Sequence, residues 1–172
     1  MAEHSPAVVV TARSQPTQEL AQAVNWKVQR LFRRSLQVRA VDAGSCNGCE
    51  WELVAALNAI YDLQRLGVDI VASPRHADAL LVTGMVTRNL ELALLRTFEA
   101  TPHPKLVIAV GACAGTGCVF RGSYAVHPGV GEVLPVDVYI PGCPPTPGAI
   151  LQGLLVAMGR LEPPARRQEF VE

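Results

Sequence analysis

The stretch LVIAVGACAG, residues 106–115, ends an apolar run at a glycine and places a cysteine just beyond it. Residues 106–110 are aliphatic throughout, and the run has the length of a strand. Gly111 and Gly115 flank Cys113, and glycine lets a backbone fold tightly around a bulky group and present amides to it. The stretch therefore predicts a strand that delivers a thiol to a ligand site at its carboxyl end.

Strands and helices alternate on both sides of this stretch. Short apolar runs predict strands at 36–41, 68–72, 79–83, 106–110 and 136–140, and apolar residues at a helical period predict helices at 51–63, about 89–98 and about 147–158. Such alternation indicates a parallel sheet. We therefore predict an α/β fold with a flavodoxin-like parallel sheet and helices on both faces. Only residues 73–78 separate the second and third strands, too few for an ordinary crossover helix, so the strand order there stays open.

Length and composition favour one compact core. The chain has 172 residues, of which 49% are hydrophobic and only 5% aromatic, so the core is expected to consist of Val, Leu, Ile and Ala. We predict that the α/β domain spans residues 36–161, after a tail and a basic arm in 1–35 and before a tail in 162–172. No apolar stretch reaches the roughly 18 to 20 residues that crossing a bilayer requires.

Four of the five cysteines form a pattern that packing does not require. Cys46 and Cys49 stand in GSCNGCE, Cys113 in GACAG and Cys143 in PGCPP, each beside glycine or proline. All four follow predicted strands, and open α/β sheets bind ligands at the carboxyl ends of their strands. Four thiolates are what a [4Fe–4S] cluster takes. We therefore predict one [4Fe–4S] cluster held by these four residues.

Other roles for the cysteines carry less weight. A single buried cysteine is usually a small hydrophobe, but a set of four beside turns is not explained in that way. Structural zinc sites usually pair two short Cys-x-x-Cys knuckles, whereas Cys113 and Cys143 are isolated on separate loops. A disulfide framework suits a secreted chain, and the start MAEHSP lacks the basic and apolar segments of a secretory leader. Cys118 is either an additional ligand or, as we favour, an inert neighbouring thiol.

Charge is concentrated in one segment. Formal net charge is zero, with 15 basic and 15 acidic residues, so nothing attracts the chain as a whole to nucleic acid. A basic amphipathic arm has no acid between Trp26 and Arg39, and Val24, Val28, Leu31 and Phe32 recur along it at roughly helical spacing. Its basic residues are Lys27, Arg30, Arg33, Arg34 and Arg39. The arm is either a solvated helix face or a surface that docks on a partner subunit or a membrane.

Several motifs together resemble a known family. They are CNGCE at 46–50, SPRHAD at 73–78, VTG at 82–84, GAC at 111–113 and PVDVYIPGCPPTP at 135–147. Over about residues 31–161 the chain resembles the small subunits of membrane-bound nickel–iron hydrogenases of the formate hydrogenlyase type, in a family that includes the B-type subunit of respiratory complex I. That complex I protein has two adjacent cysteines where this chain has CNGC, which is similar to the hydrogenase pattern. The relatives usually have two glycines at 117–118, where this chain has Gly117 and Cys118.

The resemblance implies an oxidoreductase subunit. Such a protein would pass single electrons through its cluster between a nickel–iron large subunit and ferredoxin-like iron–sulfur subunits. With the membrane subunits of the complex, it would lie peripherally on the cytoplasmic side of the cell membrane. Glu50 follows the second ligand and would face the large subunit, where its carboxylate could relay protons or anchor the interface. The other interpretation of Glu50 is an acid favoured by a helix N-terminus.

Three classes of function remain open at this stage. The first is the hydrogenase electron-transfer subunit, and the second is the B-type subunit of a complex I-like enzyme, which passes electrons to quinone. The third is a structural iron–sulfur protein without redox turnover. The electron donor, the electron acceptor and ion pumping by the complex have no signature in the sequence. Relatives without hydrogenase activity share the small-subunit pattern.

Overall fold

A parallel sheet of six strands forms the centre of the part of the chain that the structure describes. The structure is a computed structural model, and it describes residues 7–9 and 17–159. The strands are β1 (Val8–Val9), β2 (Leu36–Asp42), β3 (Val68–Ile70), β4 (Ala79–Thr83), β5 (Leu106–Val110) and β6 (Val138–Ile140). All neighbouring strands pair in parallel, in the order β1-β6-β5-β4-β2-β3.

This strand order confirms the predicted fold class. Without β1, the order read from the β3 edge is β3-β2-β4-β5-β6, which is the 2-1-3-4-5 order of flavodoxin-like folds. Every residue of β4 and β5 is buried, because these two strands lie in the middle of the sheet with helices on both faces. Such strands need aliphatic side chains on both sides, which explains the continuous apolar runs in the sequence.

Five helices cover the two faces of the sheet. They are α1 (Thr17–Phe32), α2 (Gly48–Ala56), α3 (Arg88–Ala100), α4 (Ala112–Thr116) and α5 (Pro147–Gly159). Buried residues of α1, α2 and α5 pack on one face with Val38 and Ile108, and those of α3 and α4 pack on the other with Leu80 and Val107. Helix α5 lies very close to the sheet, since a Cβ on Gly153 would be 2.2 Å from Cδ1 of Ile140. This close approach fixes α5 and the turn before it.

The connection between β3 and β4, which the sequence left open, runs past β2 without a crossover helix. Strand β2 lies between β3 and β4, and a single 3-10 turn at Pro74–His76 occupies the connection. The backbone amide of Val71 donates to the Val38 carbonyl at 2.9 Å, and that of Asp78 donates to the Gln37 carbonyl at 2.7 Å. The short connection is possible because it hydrogen-bonds to β2 at both of its ends.

Several predicted elements have different lengths in the structure, among them the strand predicted at 68–72, which ends at Ile70. Helix α2 begins at Gly48 and ends at Ala56, so the prediction of a helix at 51–63 was wrong at both ends. The side-chain Oδ1 of Asn58 accepts the amides of Ile60, at 2.9 Å, and Tyr61, at 3.2 Å, which replaces helical hydrogen bonding with turns. Strand β6 begins at Val138 rather than at 136. The Asp137 amide still donates to the Val107 carbonyl at 2.8 Å, but the Val107 amide donates to the Asp137 side chain, at 2.9 Å, in place of a backbone carbonyl.

The segment before residue 36 forms one strand of the sheet and one of the helices that pack on it. Strand β1 pairs with β6, with Val8 opposite Val138, and this strand was not predicted. Helix α1 begins at Thr17, earlier than the predicted arm, and it buries Leu20, Val24 and Val28 in the packing with α5. The predicted tail at 162–172 lies outside the described residues. None of the helices within 17–159 has the length and apolar character needed to cross a bilayer.

Candidate metal centre

Four cysteines surround one small cavity at the carboxyl ends of β2, β5 and β6. The cavity has a volume of about 120 Å³. It is lined by Ser45, Cys46, Gly48, Cys49, Gly84, Ala112, Cys113, Gly142, Cys143 and Pro144. Cys49 and Cys113 are half-buried in its wall, whereas Cys46 and Cys143 are exposed. The structure thus brings together all four of the residues that the sequence pattern predicts as ligands.

Hydrogen bonds to side chains shape the loop that carries Cys46. The Oδ1 atom of Asp42 accepts the amides of Gly44, at 2.8 Å, and Ser45, at 2.7 Å. The Ser45 hydroxyl oxygen then accepts the amide of Asn47 at 3.0 Å. Asn47 has a left-handed backbone with φ 65° and stands at the N-cap of α2, which turns the chain so that Cys49 lies in the first turn of the helix. Both cysteines of CNGC line the cavity, Cys46 from the loop and Cys49 from the first turn of α2.

The loop after β5 approaches the other two loops through glycine. Gly111 has φ +91°, and a Cβ on it would lie 2.6 Å from Sγ of Cys49. Its amide donates to the Ile140 carbonyl at 2.8 Å, and the amide of Ala112 donates to the Gly142 carbonyl at 2.7 Å. No side chain could occupy position 111 without displacing the neighbouring thiol. The glycine of GAC is therefore required by the closeness of Cys49 and not only by the turn.

The turn after β6 presents Cys143 between glycine and proline. Gly142 has φ +143°, and a Cβ there would lie 2.5 Å from Cα of Pro145. The Cys143–Pro144 peptide bond is cis, and α5 begins at Pro147. Cys143 therefore lies between β6 and α5, and α5 packs closely on the sheet at Gly153. These two packed elements fix its position.

Burial makes these thiols poor acids. It raises the pKa of Cys49 to about 12, with further contributions from Glu50 and the thiols of Cys113, Cys46 and Cys143. Burial also raises the pKa of Cys113 to about 11, with the neighbouring Cys118 next in importance. Both thiols are therefore protonated at neutral pH unless a cation compensates their charge. Within residues 7–9 and 17–159, no three His, Cys, Asp or Glu side chains are grouped as the ligands of a single metal ion.

Glu50 points into the protein beside this centre. Its Oε1 accepts a hydrogen bond from the hydroxyl of Thr83, which is 2% exposed at the end of β4. Its Oε2 is buried and has no hydrogen-bond partner among the described residues. The glutamate also lies in the first turn of α2, where the helix dipole favours an acid. The contact with Thr83 was not foreseen, although both residues belong to the motifs that carry the resemblance.

Cys118 lies outside the cavity but beside one of its cysteines. It lies close enough to Cys113 to contribute to the raised pKa of that thiol, and its backbone is left-handed with φ 46°. From the sequence we expected an inert neighbour at this position. The glycine expected here in related chains was a sign that the backbone is left-handed.

Two polar residues, Asp78 of SPRHAD and His127, which no motif contains, pair with other side chains outside the cysteine cavity. Asp78, from SPRHAD, forms an ion pair with Arg34 of the basic arm, with Nη2 and Oδ1 2.6 Å apart. His127 lies 2.9 Å from the Glu91 carboxylate. Neither residue lines the cysteine cavity.

Comparisons with known proteins agree on one family. The model of the NADH ubiquinone oxidoreductase 20 kDa subunit family matches residues 46–157. The chain is 50% identical over 131 residues to formate hydrogenlyase subunit 7 of Escherichia coli K12, covering 76% of this chain and 51% of that protein. It therefore spans about half the length of that relative. It is also 50% identical over 132 residues to a probable membrane-bound hydrogenase subunit of Pyrococcus furiosus, covering 77% and 79% of the two chains.

The chain is also similar to a protein from a different kind of complex and to chains of two solved structures. The B-type subunit of the NADH-quinone oxidoreductase of Heliobacterium modesticaldum is 44% identical over 119 residues, covering 69% of this chain and 68% of that protein. A chain of the archaeal membrane-bound sulfane sulfur reductase superposes with a TM-score of 0.67 at 34% identity, covering 80% of this chain and 74% of that one. A chain of an NAD⁺-reducing [NiFe]-hydrogenase superposes with a TM-score of 0.55 at 21% identity, over 72% of this chain and 92% of that one. The latter likeness supports the fold alone.

Proposed function

The chain belongs to the family of the NADH ubiquinone oxidoreductase 20 kDa subunit, and from this membership we propose that it is the electron-transfer small subunit of a membrane-associated nickel–iron hydrogenase complex. The family is part of oxidoreductase complexes, with members in hydrogenases and in NADH-quinone oxidoreductases. The single observation that carries the proposal is the convergence of four cysteines on one cavity at the carboxyl ends of the strands.

The proposed ligands of one [4Fe–4S] cluster are Cys46, Cys49, Cys113 and Cys143. Two properties of the site support this assignment. Glycine at 111 leaves the space beside the Cys49 thiol open, since a Cβ there would lie 2.6 Å from its Sγ, so the cavity can accept a compact inorganic group. The high pKa values of Cys49 and Cys113 mean that thiolates form there only with a metal to neutralise them.

A bound [4Fe–4S] cluster would supply one-electron transfer. The residues of this chain would hold it, orient it through the three fixed loops, and limit its contact with water. Cys46 and Cys143 are exposed, so one side of the cluster would face the surface of the protein. That surface is where the nickel–iron large subunit and a ferredoxin-like iron–sulfur protein would have to lie for electrons to pass between them.

We also propose a role for Glu50 beneath this surface, as a proton relay next to the centre. The hydrogen bond from Thr83 holds one carboxylate oxygen, and the other oxygen is free of partners in the part of the chain that the structure describes. A carboxylate held in this way has a defined direction, and its buried second oxygen would serve a relay through a water or a group inside the protein. The alternative role is anchoring of the large subunit.

The spacing of the first motif favours a hydrogenase over a quinone-reducing complex. CNGC separates Cys46 and Cys49 by two residues, as in the hydrogenase pattern that the chain resembles. The second candidate, the B-type subunit of a complex I-like enzyme, is favoured by the identity of 44% to a protein of an NADH-quinone oxidoreductase. In either case no nucleic acid is involved, and membrane subunits of the complex would hold the chain peripherally at the cytoplasmic side.

The experiment is to purify the complex through a tag on this chain and to measure its iron, its sulfide and its reactions. We expect about four irons and four sulfides assignable to this chain, together with hydrogen evolution from a reduced viologen. Iron and sulfide with quinone reduction but without hydrogen evolution would support the second candidate. A chain without iron and sulfide in the intact complex would contradict both.

A further inference from the structure

Three large apolar side chains are exposed in the loop that follows α4. Val119 is 83% exposed and Tyr124 is 90% exposed, and Phe120 lies exposed between them in the sequence. We call residues 119–124 the loop patch. Single apolar side chains on a surface are ordinary, whereas a group of them marks a site of contact with another molecule.

Hydrogen bonds hold the loop patch in place although its apolar side chains are exposed. The amide of Phe120 donates to the Gly117 carbonyl at 3.1 Å, and the amide of Ser123 donates to the Phe120 carbonyl at 3.0 Å. At the far end, Nε of Arg88, the first residue of α3, donates to the Tyr124 carbonyl at 2.6 Å. A partner that binds this surface does not have to order the loop, so less conformational entropy is lost on binding.

A second exposed apolar surface lies on the other side of the cysteine cavity. Trp51 and Val54 of α2 are exposed, and we call this pair the helix patch. Helix α2 packs on one face of the sheet, whereas α3 and α4, which flank the loop patch, pack on the opposite face. The cavity receives Cys49 from α2 and Cys113 from α4. The two patches therefore flank the proposed cluster from opposite faces of the sheet.

The two patches differ in charge. Arg121 is exposed within the loop patch, and residues 112–131 contain no Asp or Glu. Glu132 lines a cavity together with Arg121, but no ion pair joins the two among the described residues. Residues 40–64, which include the helix patch, contain Asp and Glu but no Lys or Arg. Surfaces of opposite charge select different partners.

We propose that the loop patch is the docking surface for the ferredoxin-like iron–sulfur subunit that exchanges single electrons with the cluster, and that the nickel–iron large subunit binds the helix patch. This inference rests on the proposed function, which places two different proteins beside one cluster. Glu50, which is assigned to the side of the large subunit, lies on α2 with the helix patch. The loop patch is then left for the second protein.

The chemistry of the loop patch describes the surface that would fit it. The ferredoxin-like subunit would present apolar side chains to Val119 and Tyr124 and a carboxylate to Arg121. Aromatic side chains and arginine often dominate the binding energy of such contacts. The reaction across this contact is the transfer of one electron, in which one cluster is oxidised as the other is reduced and no bond is broken.

The test uses the purified complex, tagged on this chain, as wild type and as three variants. The first exchanges Val119 and Tyr124 for Ser, the second exchanges Trp51 and Val54 for Ser, and the third is Arg121→Glu. All of these side chains are exposed, so their exchange removes little packing within the chain. Iron and sulfide are measured first. The subunits that remain bound during washing are then identified by mass spectrometry, the ferredoxin-like one by its cysteine spacing.

We expect the variant at Val119 and Tyr124 to release the ferredoxin-like subunit at least about tenfold faster than the wild type, because interface changes act mainly on dissociation. It should keep the large subunit and its own iron. The variant at Trp51 and Val54 is the matched control and should show the reverse. Arg121→Glu should also release the ferredoxin-like subunit, most strongly at low salt, where repulsion between like charges is least screened.

The outcomes distinguish this inference from the proposed function. Release of the large subunit or of a membrane subunit from the variant at Val119 and Tyr124, in place of the ferredoxin-like one, would overturn the assignment. Unchanged retention of the ferredoxin-like subunit in that variant and in Arg121→Glu would overturn it too. If the double variant loses its own iron, Arg121→Glu decides. A wild-type complex without iron and sulfide would contradict the proposed function before any variant is compared.

Discussion

The two ends of the strands in the sheet, here called the amino edge and the carboxyl edge, satisfy their polar groups in opposite ways. At the amino ends of the strands, Asp78 Oδ2 accepts the backbone amide of Gln37 at 3.0 Å and Asp137 Oδ2 accepts that of Val107 at 2.9 Å. Arg34 completes the first of these with two hydrogen bonds, at 2.9 and 2.6 Å, to the carboxylate of Asp78. Donors and acceptors at the amino edge are thus matched within the chain.

The carboxyl edge contains groups that repel one another when ionised. Cys49 interacts unfavourably with Glu50 and with three other thiols, and one oxygen of Glu50 is buried without a partner among the described residues. The thiols would ionise at neutral pH only with a bound cation to compensate their charge. The amino edge thus stabilises the fold, whereas the carboxyl edge has the unbalanced groups that the proposed cluster would require.

The largest effect should come from removing one thiol at the carboxyl edge. We expect Cys49→Ala to lose the cluster completely, because three thiolates cannot satisfy four irons, and we expect the same of Cys46→Ala, Cys113→Ala and Cys143→Ala. The measurement is iron and sulfide content of the purified complex. Cys118→Ala should keep its iron. Full iron content in Cys113→Ala together with loss in Cys118→Ala would reverse the ligand assignment.

Glu50→Gln should have the next largest effect, and it tests whether the carboxyl edge moves protons. Glutamine keeps the size and the hydrogen bonding of the side chain but cannot relay a proton, so hydrogen turnover should fall by about 100-fold or more while the iron content is unchanged. Glu52→Gln, two residues further along α2, is the matched control. Normal turnover in an intact Glu50→Gln complex would leave Glu50 with an anchoring or helix-dipole role.

Asp78→Ala breaks the amino edge and should leave the carboxyl edge intact. The Gln37 amide and the Arg34 guanidinium lose their acceptor, so local opening at Gln37 should become easier by about 1 to 3 kcal/mol. Hydrogen exchange of the assembled complex measures this opening, and iron content should not change. Asp69→Ala is a control. Asp69 accepts a hydrogen bond from the side chain of Gln37, at 3.3 Å, whereas the backbone amide of Gln37 donates to Asp78. Equal hydrogen exchange at Gln37 in Asp78→Ala and Asp69→Ala would contradict a stabilising role of Asp78 at the amino edge.

The carboxyl edge was easier to predict from the sequence than the amino edge. Four cysteines beside glycine or proline at the ends of strands are visible in a single sequence, because metal ligands and tight turns each restrict the residue type. The pairing of Arg34 with Asp78, 44 positions apart, has no such local pattern. The Thr83–Glu50 contact depends on the spatial order of β2 and β4, which the short connection at 73–78 did not determine.

Local competition explains the elements whose bounds were wrong. Residues 51–63 contain apolar residues at a helical period, yet α2 ends at Ala56 because the Asn58 side chain accepts the next amides in place of the backbone. Strand β1 has only two residues and is defined by its pairing with β6. Periodicity alone predicts neither the end of α2, which a side-chain hydrogen bond sets, nor strand β1, which a tertiary pairing defines.

The smallest effect concerns the basic arm, which the comparison of the edges divides into two parts. Arg34 belongs to the amino edge through Asp78, so it is not a free docking charge. Arg33 is exposed, and Arg30 is exposed with its guanidinium 5.0 Å from the ring of Trp26. Exchange of Arg30 and Arg33 for Gln should weaken attachment to anionic membranes by about 1 kcal/mol per charge, most visibly at raised salt, where screening reduces the remaining attraction.

Co-sedimentation of the complex with membranes across a salt series measures this effect. The matched control is the exchange of Arg65 and Arg96 for Gln, since both are exposed and their loss changes net charge equally. Earlier release of the Arg30 and Arg33 variant than of the control would make α1 a docking surface. Equal release would leave α1 as a solvated helix whose buried face packs on α5, and membrane attachment would then have to come from the other subunits of the complex.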